Sequence, residues 1–182
     1  MNRSFFAVAL LAVAFGTIAC GGGSTGSASP NPAGSPAAVT PPAAVTKGSA
    51  AVIHLELSGA SGAGTFDLNS SETCKFIKNV PGNWWTAGYK DTTSTKIALV
   101  GIAVDVEKSP PTFTFNAITG AITGPDFRSW DASTMTGVTG LGSGTASAQD
   151  GGTTAKISIN GKTKEGYGVV ATVQCNKIER LG

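Results

Sequence analysis

Cys74 and Cys175 constrain this chain more than any other two residues. Each sits on the apolar face of an alternating stretch: Cys74 with Phe76, and Cys175 with Val169, Ala171 and Val173. Such alternation marks a half-buried strand. In an oxidising compartment two cysteines so placed are expected to pair. The bond would close a loop of about 100 residues, for which the chain-entropy argument gives roughly 4–5 kcal/mol of stabilisation. Any fold that accepts it must bring an early strand beside the last one. The sequence has no CxxC motif, and its one histidine, His54, has no spaced partner. A redox pair or a metal site is therefore the poorer reading, and no cofactor is expected.

The third cysteine, Cys20, says where the chain folds. Arg3 precedes an unbroken apolar run from Phe5 to Phe15, and Gly16-Thr17-Ile18-Ala19 leads from it to Cys20. The run fits the hydrophobic region of a signal peptide and falls short of the ~20 residues that span a bilayer. Gly21-Gly22-Gly23 then ends it, against a membrane helix. A small residue just before a cysteine, directly after such a run, is the lipobox arrangement. Residues 1–19 are therefore expected to be removed as a lipoprotein signal peptide. Cys20 is expected to carry acyl chains of the palmitate type, which hold the protein to the cell membrane or envelope on its extracytoplasmic side. Each buried CH₂ contributes roughly 0.8 kcal/mol, so two or three chains anchor durably where one would not. Thr17 stands where Leu is commonest. The alternative is an ordinary secretory signal cleaved at or near Ala19, with Cys20 left as a free thiol.

Residues 20–49 hold the lipidated cysteine and a Gly/Ser/Pro/Ala-rich linker with one charge, Lys47, and no aromatic residue. Such a segment cannot bury enough surface to offset chain entropy, so disorder is expected. Pro30, Pro32, Pro36, Pro41 and Pro42 stiffen it toward polyproline II, an extended spacer. Thr25, Thr40 and Thr46 suit O-glycosylation; a bare spacer is the alternative.

Residues 50–182 remain, enough for one β-rich extracytoplasmic domain with a single core. Only 13% of the chain is charged, while glycine numbers 25. That suits short strands and turns rather than surface helices. Ala51–Leu57 alternates with Ile53, Leu55 and Leu57 on one side and His54 and Glu56 on the other. Lys96–Glu107 reads as a central strand, or as two strands with Gly101 at a bulge. Arg128–Met135 reads as one short helical turn. Ser143–Thr163 reads as a hairpin about Asp150-Gly151-Gly152, with Asn160-Gly161 as an alternative turn. The expected architecture is all-β: seven or eight strands in a small antiparallel β-sandwich or open barrel, stapled by one disulfide.

The lipobox, the linker, and the end of the chain together resemble the mycobacterial nineteen-kilodalton lipoprotein antigen family. The likeness is closest over Gly144-Thr145-Ala146-Ser147-Ala148, Asp150-Gly151, Lys156-Ile157 and the last strand closing on Cys175. It implies lipidation of Cys20, a Cys74–Cys175 bond, and a glycosylatable surface antigen recognised by host innate receptors through its acylated terminus. It implies no enzymatic chemistry. The segment from Phe76 to Trp130 and the tail after Cys175 fall outside it, so a binding surface does not carry over.

Removal of Arg3 leaves 12 of the 13 basic residues against 11 acidic ones, so no electrostatic footprint for nucleic acid exists. A serine hydrolase would need His54 as its base, yet His54 reads as a solvent-facing strand position. A glycosidase would need two opposed carboxylates, for which Asp126, Asp131 and Glu165 are the loop candidates. Asp67, Asn69, Ser71 and Glu72 lack the ligand count of a calcium loop. Gly140–Gly144 is followed by strand sequence rather than the helix that would bind phosphate. No catalytic residue is assigned. The remaining candidates are aromatic: Trp84, Trp85, Tyr89 and Trp130, in or near expected loops, form a platform for a protein or carbohydrate ligand if exposed. The alternative is that at least one tryptophan fills the core. The sequence favours a non-enzymatic domain for surface binding, recognition or envelope structure. A lipid or glycolipid carrier comes next, and an exported hydrolase after it.

Overall fold

The computed structural model describes residues 48–135, 137 and 142–182. The signal peptide, Cys20, most of the linker and Gly140-Leu141 lie outside the described residues. The strands, in chain order, are β1 (Ala51–Ser58), β2 (Gly64–Ser70), β3 (Cys74–Ile77), β4 (Trp84–Lys90), β5 (Ile97–Asp105) and β6 (Thr112–Thr119). They continue with β7 (Arg128–Ser133), β8 (Ser143–Asp150), β9 (Ala155–Lys162), β10 (Gly168–Cys175) and β11 (Ile178–Leu181). One sheet has the order β2-β1-β10-β9-β8, the other β11-β3-β4-β5-β6-β7. Every neighbouring pair is antiparallel except β11 and β3. Of the two expected architectures the fold is the β-sandwich, with eleven strands among the described residues rather than seven or eight.

The alternating sequence drives this arrangement. Ile53, Leu55 and Leu57 of β1, Val169, Ala171 and Val173 of β10, and Ile157 and Ile159 of β9 cover the inner side of one sheet. Trp85, Val100, Ile102, Val104, Phe113, Phe115 and Trp130 cover the inner side of the other. All of these are buried. At ~25 cal/mol per Å² of apolar surface removed from water, this single layer of interdigitated side chains is the main stabilising term.

Cys74 and Cys175 are bonded, with Cα atoms 5.9 Å apart and a sequence separation of 101. The bond joins β3 of one sheet to β10 of the other. Directly after Cys175 the chain itself crosses between the sheets. Asn176 and Lys177 both donate their backbone N–H to the carbonyl of Ala50, and Ala50 donates to Ser70. Ile178 then pairs with Cys74. The start of the domain, the crossover and the disulfide thus share one end of the sandwich.

One local expectation is corrected, and two of the alternatives are set aside. Arg128–Met135 contains a strand, β7, not a helical turn; Trp130 and Ala132 point inward and alternate with Ser129 and Asp131. Asn160-Gly161 does not turn. Gly161 stays in β9 opposite Gly144, and a Cβ there would lie 3.1 Å from the Phe113 ring. Its small size makes room for the Ser143 carbonyl, 2.7 Å from where a Cβ would sit, and for the Phe113 ring. Gly101 marks no bulge, because the irregularity of β5 falls between Ile97 and Leu99.

Candidate functional site

Trp84 and Trp85 are adjacent in β4, so the pleat must send them to opposite faces. Trp85 goes inward and is only 2% exposed. Its ring lies 4.7 Å from that of Phe76, and the Arg180 guanidinium sits over it. Trp130 is fully buried in β7. Its indole N–H donates to the Thr119 hydroxyl at 3.1 Å, and its ring meets Tyr167 edge-on. Trp85 and Trp130 are therefore core residues, not ligand platforms. Trp84 is half-buried on the outer face and donates its N–H to the Pro81 carbonyl. Tyr89, also half-buried, packs against the core, and burial, helped by Asp91, raises its pKa. The four rings form no common surface.

The structure gathers other residues instead. β1 leaves the end that holds Ala50 and runs eight residues, about 26 Å, to the opposite end. There the β1–β2, β4–β5 and β6–β7 connections enclose a cleft of about 490 Å³. Ser61, Gly62 and Ala63 come from the first connection, Thr95 and Lys96 from the second, and Gly120 and Pro125–Phe127 from the third; Phe66, Thr119 and Arg128 complete it. Phe127 is 46% exposed, and Ile122 on the same connection 44%. Among the described residues these are two of the four large hydrophobic side chains found exposed, the others being Val80 and Leu181.

The cleft is held in shape. Gly120 donates to the Lys96 carbonyl, Gly124 to Ala121, and Phe127 to Gly124. Gly62 has φ +79° and lies on the Thr119 side chain, so a larger residue there would be strained and would push against the β6 end. Arg128 donates Nε–H to the Ser61 hydroxyl at 3.1 Å, and its guanidinium carbon is 5.4 Å from the centre of the Tyr167 ring. The ion pairs among the described residues are His54–Glu56, His54–Asp67, Lys75–Glu179, Lys164–Glu165 and Arg180–Asp150. Neither Arg128 nor Lys96 belongs to one.

The other polar candidates are placed as follows. His54 lies on the outer face of β1 with both ring nitrogens engaged: Nδ1 with Asp67 at 2.7 Å and Nε2 with Glu56 at 3.1 Å. Those two hydrogen bonds, Asp67 first, raise its pKa against the opposing effect of burial. The ring has no nitrogen left to face a serine, as a triad base must. Asp67 and Asn69 sit in β2 rather than a loop. Asp131 and Glu165 share a small groove beside Arg128. Asp131 already accepts from Asn116 and Ser129, and Glu165 pairs with Lys164. Among the described residues no cluster of His, Cys, Asp or Glu is placed to hold a metal ion.

Sequence reasoning passed over Phe127, Arg128 and Lys96. Of the cleft's charged residues, the sequence singles out only Asp126, as a loop carboxylate. The available signal was an aromatic and an arginine directly after a Gly-Pro turn. No protein-family model, no curated protein and no solved structure matches the chain.

Proposed function

We propose that this chain is a lipid-anchored envelope lipoprotein, tethered through Cys20, whose β-sandwich binds or is recognised by a partner outside the cell. The observation that carries the binding part is the placement of the cleft. It lies at the end of the domain opposite Ala50, where the linker joins, and it carries exposed Phe127 with Lys96 and Arg128, two cations that have no ion pair among the described residues. The space between the sheets is filled by Trp85, Trp130, Phe113 and their neighbours, which favours binding on the surface over lipid carriage in an interior cavity. The likeness to the nineteen-kilodalton lipoprotein antigens belongs to the same reading, with the acylated terminus as a second recognised feature.

Intact-mass measurement of the membrane-extracted protein, with thiol labelling before and after reduction, tests the anchor. The expected result is loss of residues 1–19, two or three acyl chains, and two thiols that label only after reduction. An unacylated mass with Cys20 labelled at once removes the tether from this reading.

A further inference from the structure

We infer that the cleft opposite the linker is a binding site for an acidic sugar, a pyranose unit bearing a carboxylate, presented by a glycan outside the cell. The inference rests on the reading of that end as the binding surface. It names the ligand class from the groups that line the cleft.

Arg128 comes first. Its Nε–H is spent on Ser61 and its guanidinium carbon lies 5.4 Å from the centre of the Tyr167 ring, and among the described residues it has no carboxylate partner. A guanidinium held in this way presents its remaining N–H groups as a fork matched to a carboxylate. Lys96, on the β4–β5 connection that lines the same cleft, is a second cation with no ion pair among the described residues. Two such cations in one cleft call for an anion.

The rest of the lining says what else the ligand carries. Phe127 offers a half-exposed ring to an apolar face, and Pro125 and Phe66 extend that surface. Ser61, Thr95 and the Asp126 carboxylate supply donors and acceptors around it. A pyranose has this combination of features, an apolar C–H face and a rim of hydroxyl groups. A fatty acid would leave Asp126 and the hydroxyls without partners, and a bare inorganic anion would leave Phe127 without one. A space of about 490 Å³ is in the range of small-ligand sites and accepts one or two sugar units.

The test uses the full-length protein in detergent micelles, titrated by calorimetry with tetragalacturonic acid. Maltotetraose, galacturonic acid, acetate and inorganic phosphate serve as comparison ligands. Saturable binding of the acidic tetramer, weaker binding of its monomer, and none of maltotetraose is the expected pattern. Added salt should weaken binding, because both cations are solvent-accessible. Arg128→Gln should lower affinity about tenfold or more, the loss of a charge-assisted hydrogen-bond pair. Phe127→Ala should lower it several-fold, and Lys156→Gln, at the opposite end, should leave it unchanged. Because Arg128 also braces Tyr167, amide chemical shifts of the unmutated protein provide a second readout. Added tetramer should move residues 61–63, 95–96 and 125–128.

Binding of acetate or phosphate as strong as that of the tetramer, shifts confined to other residues, or no binding at all would each overturn the inference. Loss of sugar binding with acyl chains present on Cys20 would remove the ligand class and leave the anchor. Sugar binding by an unacylated protein would do the reverse.

Discussion

His54 is the only histidine of the chain, so its protonation can be followed without overlap. Carboxylates on both ring nitrogens favour the imidazolium, and the folded-state pKa lies above the ordinary value of 6.5. A raised pKa gives stability that is fully present below the unfolded value. It is lost as pH rises through the folded one. The unfolding midpoint in urea should therefore fall between pH 6 and a pH above the folded-state value, and in His54→Gln that fall should vanish. An equal fall in the variant would place the pH dependence elsewhere. Trp130 and Thr119 form the second residue-scale case. Both are buried, and the threonine hydroxyl accepts the indole N–H. Thr119→Val keeps the shape and removes the acceptor. The orphaned N–H should cost about 1–3 kcal/mol, read as a lower midpoint with an unchanged denaturant slope. A neutral result would mean that the indole finds another acceptor.

At the scale of elements, β11 behaves as a strap. Its backbone pairs in parallel with β3. Arg180 reaches the other sheet, where it makes two hydrogen bonds to Asp150 and one to the Gly152 carbonyl in the β8–β9 turn. The same guanidinium lies over the Phe76 and Trp85 rings. The contact is solvent-accessible, so its effect should be local rather than global. Arg180→Ala should speed hydrogen exchange at the Lys78 amide, which bonds Leu181, while amides of β5 keep their protection. Loss of protection throughout both sheets would show a larger role. This strand also marks where sequence reading stops. β1, β5 and β10 were legible because apolar and polar residues alternate cleanly along them. β11 has only Ile178 and Leu181 as apolar members, and its pairing depends on a neighbour a hundred residues away. β7 was hidden by Arg128, Ser129 and Asp131, which have weak strand preference and sit there because Trp130 and Ala132 fill the core. The pair Trp84-Trp85 could have been split by parity alone. The cleft could not have been assembled from the sequence, since Ser61, Lys96 and Arg128 meet only once the strand order is known.

At the scale of the whole molecule, the disulfide and the linker junction occupy one end and the cleft the other. The Cys74–Cys175 bond restricts the unfolded chain, because its ends are 101 apart in residue number. For a loop of this size the chain-entropy argument gives about 4–5 kcal/mol, a large part of the roughly 5–15 kcal/mol net stability of a domain. Cys74→Ala with Cys175→Ala should lower the unfolding free energy by about that amount. The native fold should survive, because β11 pairing and the Ala50 hydrogen bonds still join the sheets at that corner. Two measurements separate entropy from contact. Denaturant unfolding gives the size of the loss. Native-state hydrogen exchange shows where protection falls: evenly, if the bond acts on the unfolded chain, or first at Ala50, Cys74 and Lys177, if it acts by holding the corner closed. An even loss should leave the cleft's affinity untouched, since its shape comes from the β1–β2 and β6–β7 connections about 26 Å away. A fall in affinity on removal of the disulfide would mean that the two ends of the sandwich are coupled through the sheets that join them.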